Sequence, residues 1–239
     1  MTTLLYLDNT YLFNAQAQVN KIQISPEGLT IIILDQTLFY PQGGGQPCDT
    51  GTITSQQAEF KVSHVRLDEH GTVHHIGSFA HGSFSTGDFV TLAIDKDRRI
   101  TNAKLHSAGH LLDCAITELG LALKPLKGYH FQDHPYVEYE GNLDHSPETI
   151  QALQDKINEL LQANKTISTH ELPYEDALAQ GITAPIGKNA RLVTIDGFKP
   201  CGCGGTHVHR TSDIGSLAVR KIKSKGGNTR VSYEIIDKP

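Results

Sequence analysis

His106 and His110 lie four residues apart in a segment whose apolar residues recur at helical spacing. That spacing places both imidazoles on one helix face, where they can share one ion. The residues between them, Ser107-Ala108-Gly109, supply no glutamate, so a helical zinc protease, which needs that carboxylate as general base, is excluded. Almost a hundred residues on, Lys199-Pro200-Cys201-Gly202-Cys203-Gly204-Gly205-Thr206-His207-Val208-His209 forms a glycine-rich turn with two thiols and two imidazoles. Cys203 and His207 are again four apart, with Cys201 and His209 just outside. His106, His110, Cys203 and His207 make a tetrahedral set of three nitrogens and one sulfur, which suits zinc, whereas magnesium and calcium prefer oxygen. Cys201 competes with Cys203 for the thiolate position. Four protein ligands are usual in structural zinc sites, and a catalytic site keeps one position open; spacing leaves both roles available. A third segment, Phe39 to Gly51, carries Gly43, Gly44, Gly45 and Gln46. It has no Gly-Lys-Ser/Thr and no following helical pattern, so it is not a nucleotide phosphate loop, but its successive amides can donate to an anion or a carbonyl.

These residues need elements to position them. The first 95 residues read as short strands: a β-branched run over 28–35, then 58–67, 73–76 and 89–94, separated by glycine and polar turns. This is the pattern of a small barrel or sandwich. From Ile100, Leu105, Ala108, Leu111, Leu112, Ala115, Ile116 and Leu119 predict a helix that stops at Gly120. A second helix is predicted from Ser146 to about Asn164, with serine as cap and proline in the first turn, and a short third over 174–180. Strands return at 191–195, 214–222 and 229–236. The change of texture places a domain boundary near residue 95.

The chain has 239 residues, 38% of them hydrophobic and 20% charged, which fits globular domains and excludes a disordered or fibrous chain. The longest apolar run, 29–34, is far short of the roughly 18 residues of a membrane span. The N-terminus lacks a basic start and a long apolar stretch, so no secretory signal is expected. Four cysteines in this length do not make a disulfide scaffold, and a cytoplasmic setting is expected. The formal net charge is −5, split into −6 for residues 1–95 and +1 for the rest. A globally basic nucleic-acid binder is excluded, and no DNA partner is expected. A local strip remains: Arg220, Lys221, Lys223, Lys225 and Arg230 form five positive charges without an acid. It reads either as a lysine-guarded strand edge or as a phosphate-facing surface.

Taken together, Gly43-Gly44-Gly45-Gln46-Pro47, His106-Ser107-Ala108-Gly109-His110-Leu111-Leu112 and Cys203-Gly204-Gly205-Thr206-His207-Val208 resemble the editing domain of alanyl-tRNA synthetase. They are more closely similar to the freestanding AlaX proteins of intermediate size. Lys127-Gly128-Tyr129-His130-Phe131, Glu175-Asp176-Ala177 and the stretch from Ile214 to Tyr233 support the likeness, which runs over essentially the whole chain. It implies an α+β protein, with an N-terminal β-barrel domain over 1–95 carrying the glycine-rich loop and a zinc-bearing editing domain over 96–239. It implies a zinc-dependent hydrolase acting on alanine-accepting tRNA wrongly charged with serine, with glycine as a second mischarge. With no aminoacylation or anticodon-binding segment expected in this length, the reading is a trans-acting deacylase. Cys48 and Cys201 are extra thiols without an assigned role.

Such an activity answers a physical need. A pocket for alanine cannot strongly refuse serine or glycine, because a methylene-sized difference discriminates only about 10–200-fold. A second site that hydrogen-bonds the serine hydroxyl leaves a polar group unpaired when alanine enters. Thr206 is expected to line that pocket, with Gly205, Lys127 and Gly128. No protein general base is assigned; a zinc-activated water or the ribose hydroxyl of the tRNA is expected to serve. Arg98, Arg99, Lys221, Lys223, Lys225 and Arg230 are expected to meet tRNA phosphates. The rivals are editing of another tRNA, such as serine on threonine-accepting tRNA, and a non-catalytic tRNA-binding module stabilised by zinc.

Overall fold

A computed structural model of the chain describes residues 1–182 and 189–236. The chain divides into two compact units, one of residues 1–43 with 47–101, the other of residues 44–46 with 102–239.

The first unit holds β1 (Thr3–Leu4), β2 (Asn14–Ile24), β3 (Thr30–Leu34), β4 (Gln36–Thr37), β5 (Gly51–Thr54), β6 (Glu59–Leu67), β7 (Val73–His81) and β8 (Phe89–Ile94). Six of these close a barrel in the order β2-β3-β7-β6-β5-β8, with antiparallel neighbours throughout. Closure leaves those six strands no open edge, which removes the hazard of edge pairing. Alternation explains the interior: Phe60 and Val62 of β6 point inward, and a bulge between Val62 and His64 resets the phase so that Val65 is buried too. Ile32, Leu34, Ile53 and Leu92 complete a fully buried centre. Burying each such side chain contributes about 1.5–3 kcal/mol. The sequence reading omitted β2, whose outward residues Gln16, Gln18 and Asn20 dilute its apolar content, and the short β5.

Helix α1 (Lys96–Glu118) starts four residues before its expected beginning at Ile100. Asp95 explains the early start: its Oδ1 accepts from Arg98 N at 3.0 Å, satisfying one of the helix's free amides. Arg99 does not face solvent or a phosphate. It is fully buried, its Nε donates to Asp49 Oδ1 and Oδ2 at 3.2 and 3.1 Å, and Nη1 and Nη2 donate to the carbonyls of Thr10 and Leu38. Arg98 is half-buried, with Nε on the Cys48 carbonyl at 2.9 Å.

The second unit contains most of α1, then β9 (Lys124–Tyr129), β10 (Tyr136–Glu140), α2 (Pro147–Gln162), β11 (Ile167–Leu172), α3 (Tyr174–Ala179), β12 (Ala190–Ile195), β13 (Cys201–Gly202), β14 (Ser216–Lys225) and β15 (Asn228–Ile236). One antiparallel sheet runs β14-β15-β10-β9 and a smaller one runs β11-β12-β13. Leu105, Ala108, Leu111, Leu112, Ala115 and Ile116 of α1 are buried in one core with Leu153, Ile157 and Leu160 of α2 and with Val137, Tyr139, Val231 and Tyr233 of the larger sheet. Ser146 caps α2 by accepting from Thr149 N, an interaction worth about 1 kcal/mol. No helix among the described residues is long and apolar enough to cross a membrane.

Candidate metal centre

Helix α1 supplies the first half of the site. His106 and His110 stack with ring centroids 5.2 Å apart, as residues one helical turn apart must when both face the same side. The turn after β13 supplies the second half. There Cys203 is followed by Gly204, Gly205 and Thr206 before His207, and Gly205 is needed as glycine: a Cβ would lie 2.1 Å from His106 Cε1. One ligand atom from each of His106, His110, Cys203 and His207 falls within 4.8 Å of the others, so the four could hold a metal ion. Cys203 Sγ is 3.4 Å from His106 Nε2 and 3.3 Å from His207 Nε2. A tetrahedron with Zn–N of about 2.0–2.1 Å and Zn–S of about 2.3 Å has edges of roughly 3.4–3.6 Å, so the donor set fits zinc.

Two further observations test that fit. His110 Nε2 is buried with no hydrogen-bond partner, an arrangement that costs stability unless something else engages its lone pair. Each of the three histidines also has a partner at Nδ1: Gln46 Oε1 for His106 at 2.8 Å, Cys201 Sγ for His110 at 3.4 Å and Ser107 Oγ for His207 at 3.3 Å. Imidazoles that ligate through one nitrogen are held through the other in this way. Of the two candidate thiols, Cys203 therefore joins the group, while Cys201 lies at the opposite nitrogen of His110.

Electrostatics point the same way. Burial lowers the pKa of His106 and His207 well below the ordinary value and that of His110 to about 4, which keeps the imidazoles neutral, the state that ligates a metal. Burial raises the Cys203 thiol, and a nearby cation reverses that effect and favours the thiolate.

A cavity of about 260 Å³ opens beside the cluster, lined by His106, His110, Cys203, Lys127, Gly128 and His130 among others. Gly44 of the glycine-rich segment lines it as well. Gly45, at φ +78°, approaches β9 so closely that a Cβ would sit 2.3 Å from the Gly128 carbonyl. Thr206 is fully buried, with Oγ1 accepting from Gln46 Nε2 at 2.9 Å.

The sequence reading gave no role to His130 or Asp113. His130 stacks on His106 at 4.5 Å, and its Nδ1 is 2.6 Å from Tyr233 Oη, which itself donates to the Leu105 carbonyl. His130 Nδ1 must therefore carry the proton, and burial lowers its pKa to about 3. Asp113 accepts from Tyr139 Oη at 2.6 Å, and burial raises its pKa to about 7. A signal for Asp113 existed, since it sits three residues after His110 on the same helix. His130 stood inside a quoted motif without a partner to identify its task.

The basic residues fall on the larger sheet. Lys221, Lys223 and Lys225 alternate with buried Ile222 on β14, and all three are exposed. Lys127, Glu138, Arg230 and Lys223 form one row across the four strands. Arg230 donates to Glu138 at 2.8 Å and lies over the Tyr136 ring at 4.7 Å.

Residues 6–98 match the family model described as class II (A) tRNA synthetases, and residues 190–231 match the second additional domain of threonyl and alanyl tRNA synthetases. The chain is 35% identical, over 82% of its length, to alanine–tRNA ligase 1 of Lachnoclostridium phytofermentans, of which the match covers 22%. It is 31% identical, over 97% of its length, to alanine–tRNA ligase of Cupriavidus necator, and 31% identical, over 86%, to that of Clostridioides difficile; these matches cover 27% and 24% of the ligases. The chain thus spans about a quarter of the length of the curated relatives it matches.

Proposed function

We propose that the chain, which resembles alanine–tRNA ligases over most of its own length and matches the second additional domain of threonyl and alanyl tRNA synthetases over residues 190–231, hydrolyses alanine-accepting tRNA mischarged with serine. The observation that carries the reading is the convergence of His106, His110, Cys203 and His207 at the wall of a small cavity. At about 260 Å³ the cavity lies below the roughly 300–1,000 Å³ of sites for drug-sized ligands. It suits a small acyl group rather than a whole nucleoside.

Zinc held by the four residues would place a positive charge at the cavity wall and offset the charge that develops on the ester oxygen. The chain's own residues do the rest. Neutral, buried imidazoles present lone pairs at one face, and their Nδ1 partners keep the rings from turning. Polar lining groups, among them Asp113 and His130, give the serine hydroxyl hydrogen-bond partners that alanine would leave unmatched, and an unpaired buried polar group costs about 1–3 kcal/mol. Lys221, Lys223 and Lys225, exposed on one strand, suit tRNA phosphates. Glycine on the same tRNA is a second candidate substrate, and serine on threonine-accepting tRNA is kept as an alternative because the matched domain is shared by both synthetases.

The test is hydrolysis of serine-, glycine- and alanine-charged tRNA for alanine, and of serine-charged tRNA for threonine, before and after chelation. The reading expects serine on tRNA for alanine to be cleaved fastest, alanine to be spared and chelation to abolish cleavage. Tight tRNA binding without ester hydrolysis at any zinc loading would instead favour a binding module.

A further inference from the structure

Gln46 is fully buried, and its carboxamide makes three hydrogen bonds inside the second unit. Oε1 takes in His106 Nδ1 at 2.8 Å and Thr206 N at 3.1 Å, and Nε2 donates to Thr206 Oγ1 at 2.9 Å. These contacts fix their own chemistry. A backbone N–H can only donate, so the atom facing Thr206 N must be the amide oxygen. That oxygen can only accept, so His106 Nδ1 must carry the imidazole proton. The lone pair of His106 is then confined to Nε2, the atom 3.4 Å from Cys203 Sγ.

The same side chain touches both halves of the cluster. His106 comes from α1, and Thr206 is the residue before His207 in the second half. We propose that Gln46 is a positioning residue for the metal centre: it sets the tautomer and ring plane of His106 and anchors the Cys203–His207 turn against that helix through Thr206. Its contact with His106 is shorter than those of Cys201 and Ser107 with their histidines, at 3.4 and 3.3 Å. Gly45 lets the chain approach β9 closely enough to deliver it, and His130 N donates to the Gly45 carbonyl at 2.8 Å. The glutamine of the glycine-rich segment thus acts through its side chain, beyond any role of the segment's backbone amides. This inference rests on the zinc reading of the cluster.

The experiment measures zinc affinity by competition with a chromophoric chelator, and the visible spectrum of the cobalt-substituted protein, for the full chain and for Gln46→Met and Gln46→Glu. Gln46→Met keeps the volume and removes all three hydrogen bonds; zinc affinity is expected to fall about 10–100-fold, and the cobalt bands to shift. Gln46→Glu keeps an acceptor for His106 Nδ1 and Thr206 N, can accept from the Thr206 hydroxyl, and is expected to bind zinc at least as tightly as the wild type. A purely structural role lowers the stability of metal-free and metal-loaded protein alike and leaves the affinity unmoved. Wild-type affinity in Gln46→Met overturns the proposal. If Gln46→Met does not fold, Gln46→Glu decides, and weaker zinc binding than wild type overturns it. Failure of the wild type itself to bind zinc removes the zinc reading and this inference together.

Discussion

Asp49 and Arg99, fifty residues apart in the chain, form a charge pair in which neither side chain is exposed to solvent. Asp49 also accepts from Tyr40 N at 2.7 Å, so its carboxylate ties the stretch that leads into the glycine-rich segment to the start of α1. Removing one partner of such a pair leaves an uncompensated buried charge, at a cost of about 3–5 kcal/mol. Asp49→Asn is therefore expected to lower the urea midpoint by that equivalent. A midpoint within error of wild type would contradict the pair's structural role.

His75 sets a pH dependence in the barrel unit. It is fully buried, with Nδ1 on the Ile32 carbonyl at 2.9 Å and Nε2 2.8 Å from Thr37 Oγ1. Burial lowers its pKa from the ordinary 6.5 to about 4. Between those values the unfolded chain binds the proton and the folded chain does not, so stability falls as pH drops from 6.5 toward 4. The loss is on the order of 3 kcal/mol at about 1.4 kcal/mol per unit. Urea denaturation at pH 7.5, 6, 5 and 4 should show this term in the wild type and not in His75→Gln. Parallel pH curves for the two proteins would refute it.

Cys203 and Cys201 are separable by metal content. Cys203→Ala is expected to lose most bound zinc and Cys201→Ala to keep it, because only Cys203 lies with the Nε2 atoms of His106 and His207. Gly205→Ala should behave like Cys203→Ala, since the added methyl would press on the His106 ring. Elemental analysis after dialysis reads all three. Loss of zinc from Cys201→Ala with retention in Cys203→Ala would reverse the ligand assignment.

Much of this architecture was legible because it is local. The apolar spacing from Leu105 to Leu119 and the capping serine at 146 mark their helices without knowledge of the fold. The two dyads were legible because each lies within one turn or loop. What escaped depends on partners distant in sequence. Arg99 reads as a surface charge until Asp49 is beside it, and Gln46 reads as part of a glycine turn until His106, sixty residues later, meets its oxygen. His130 finds its Tyr233 partner 103 residues away. β9 and β10 were missed because they are short and carry Lys124, Pro125, Lys127 and Glu138, exposed or half-buried residues that hide a one-sided alternation.

The lysines of β14 give a prediction about tRNA. Replacing Lys221, Lys223 and Lys225 with glutamine should weaken binding and reduce the slope of log affinity against log salt by about 2–3, the counterion release of three single-strand or duplex phosphate contacts. Filter binding across a salt series measures it, and an unchanged slope would place the phosphate contacts elsewhere.

The most direct measurement is the rate of serine release from serine-charged tRNA for alanine, taken with the zinc-loaded protein, after chelation and after zinc is restored. The account predicts rapid release, its loss on chelation and its return with zinc, while correctly alanylated tRNA survives throughout. Equal release of serine and alanine, or release indifferent to zinc, would contradict it.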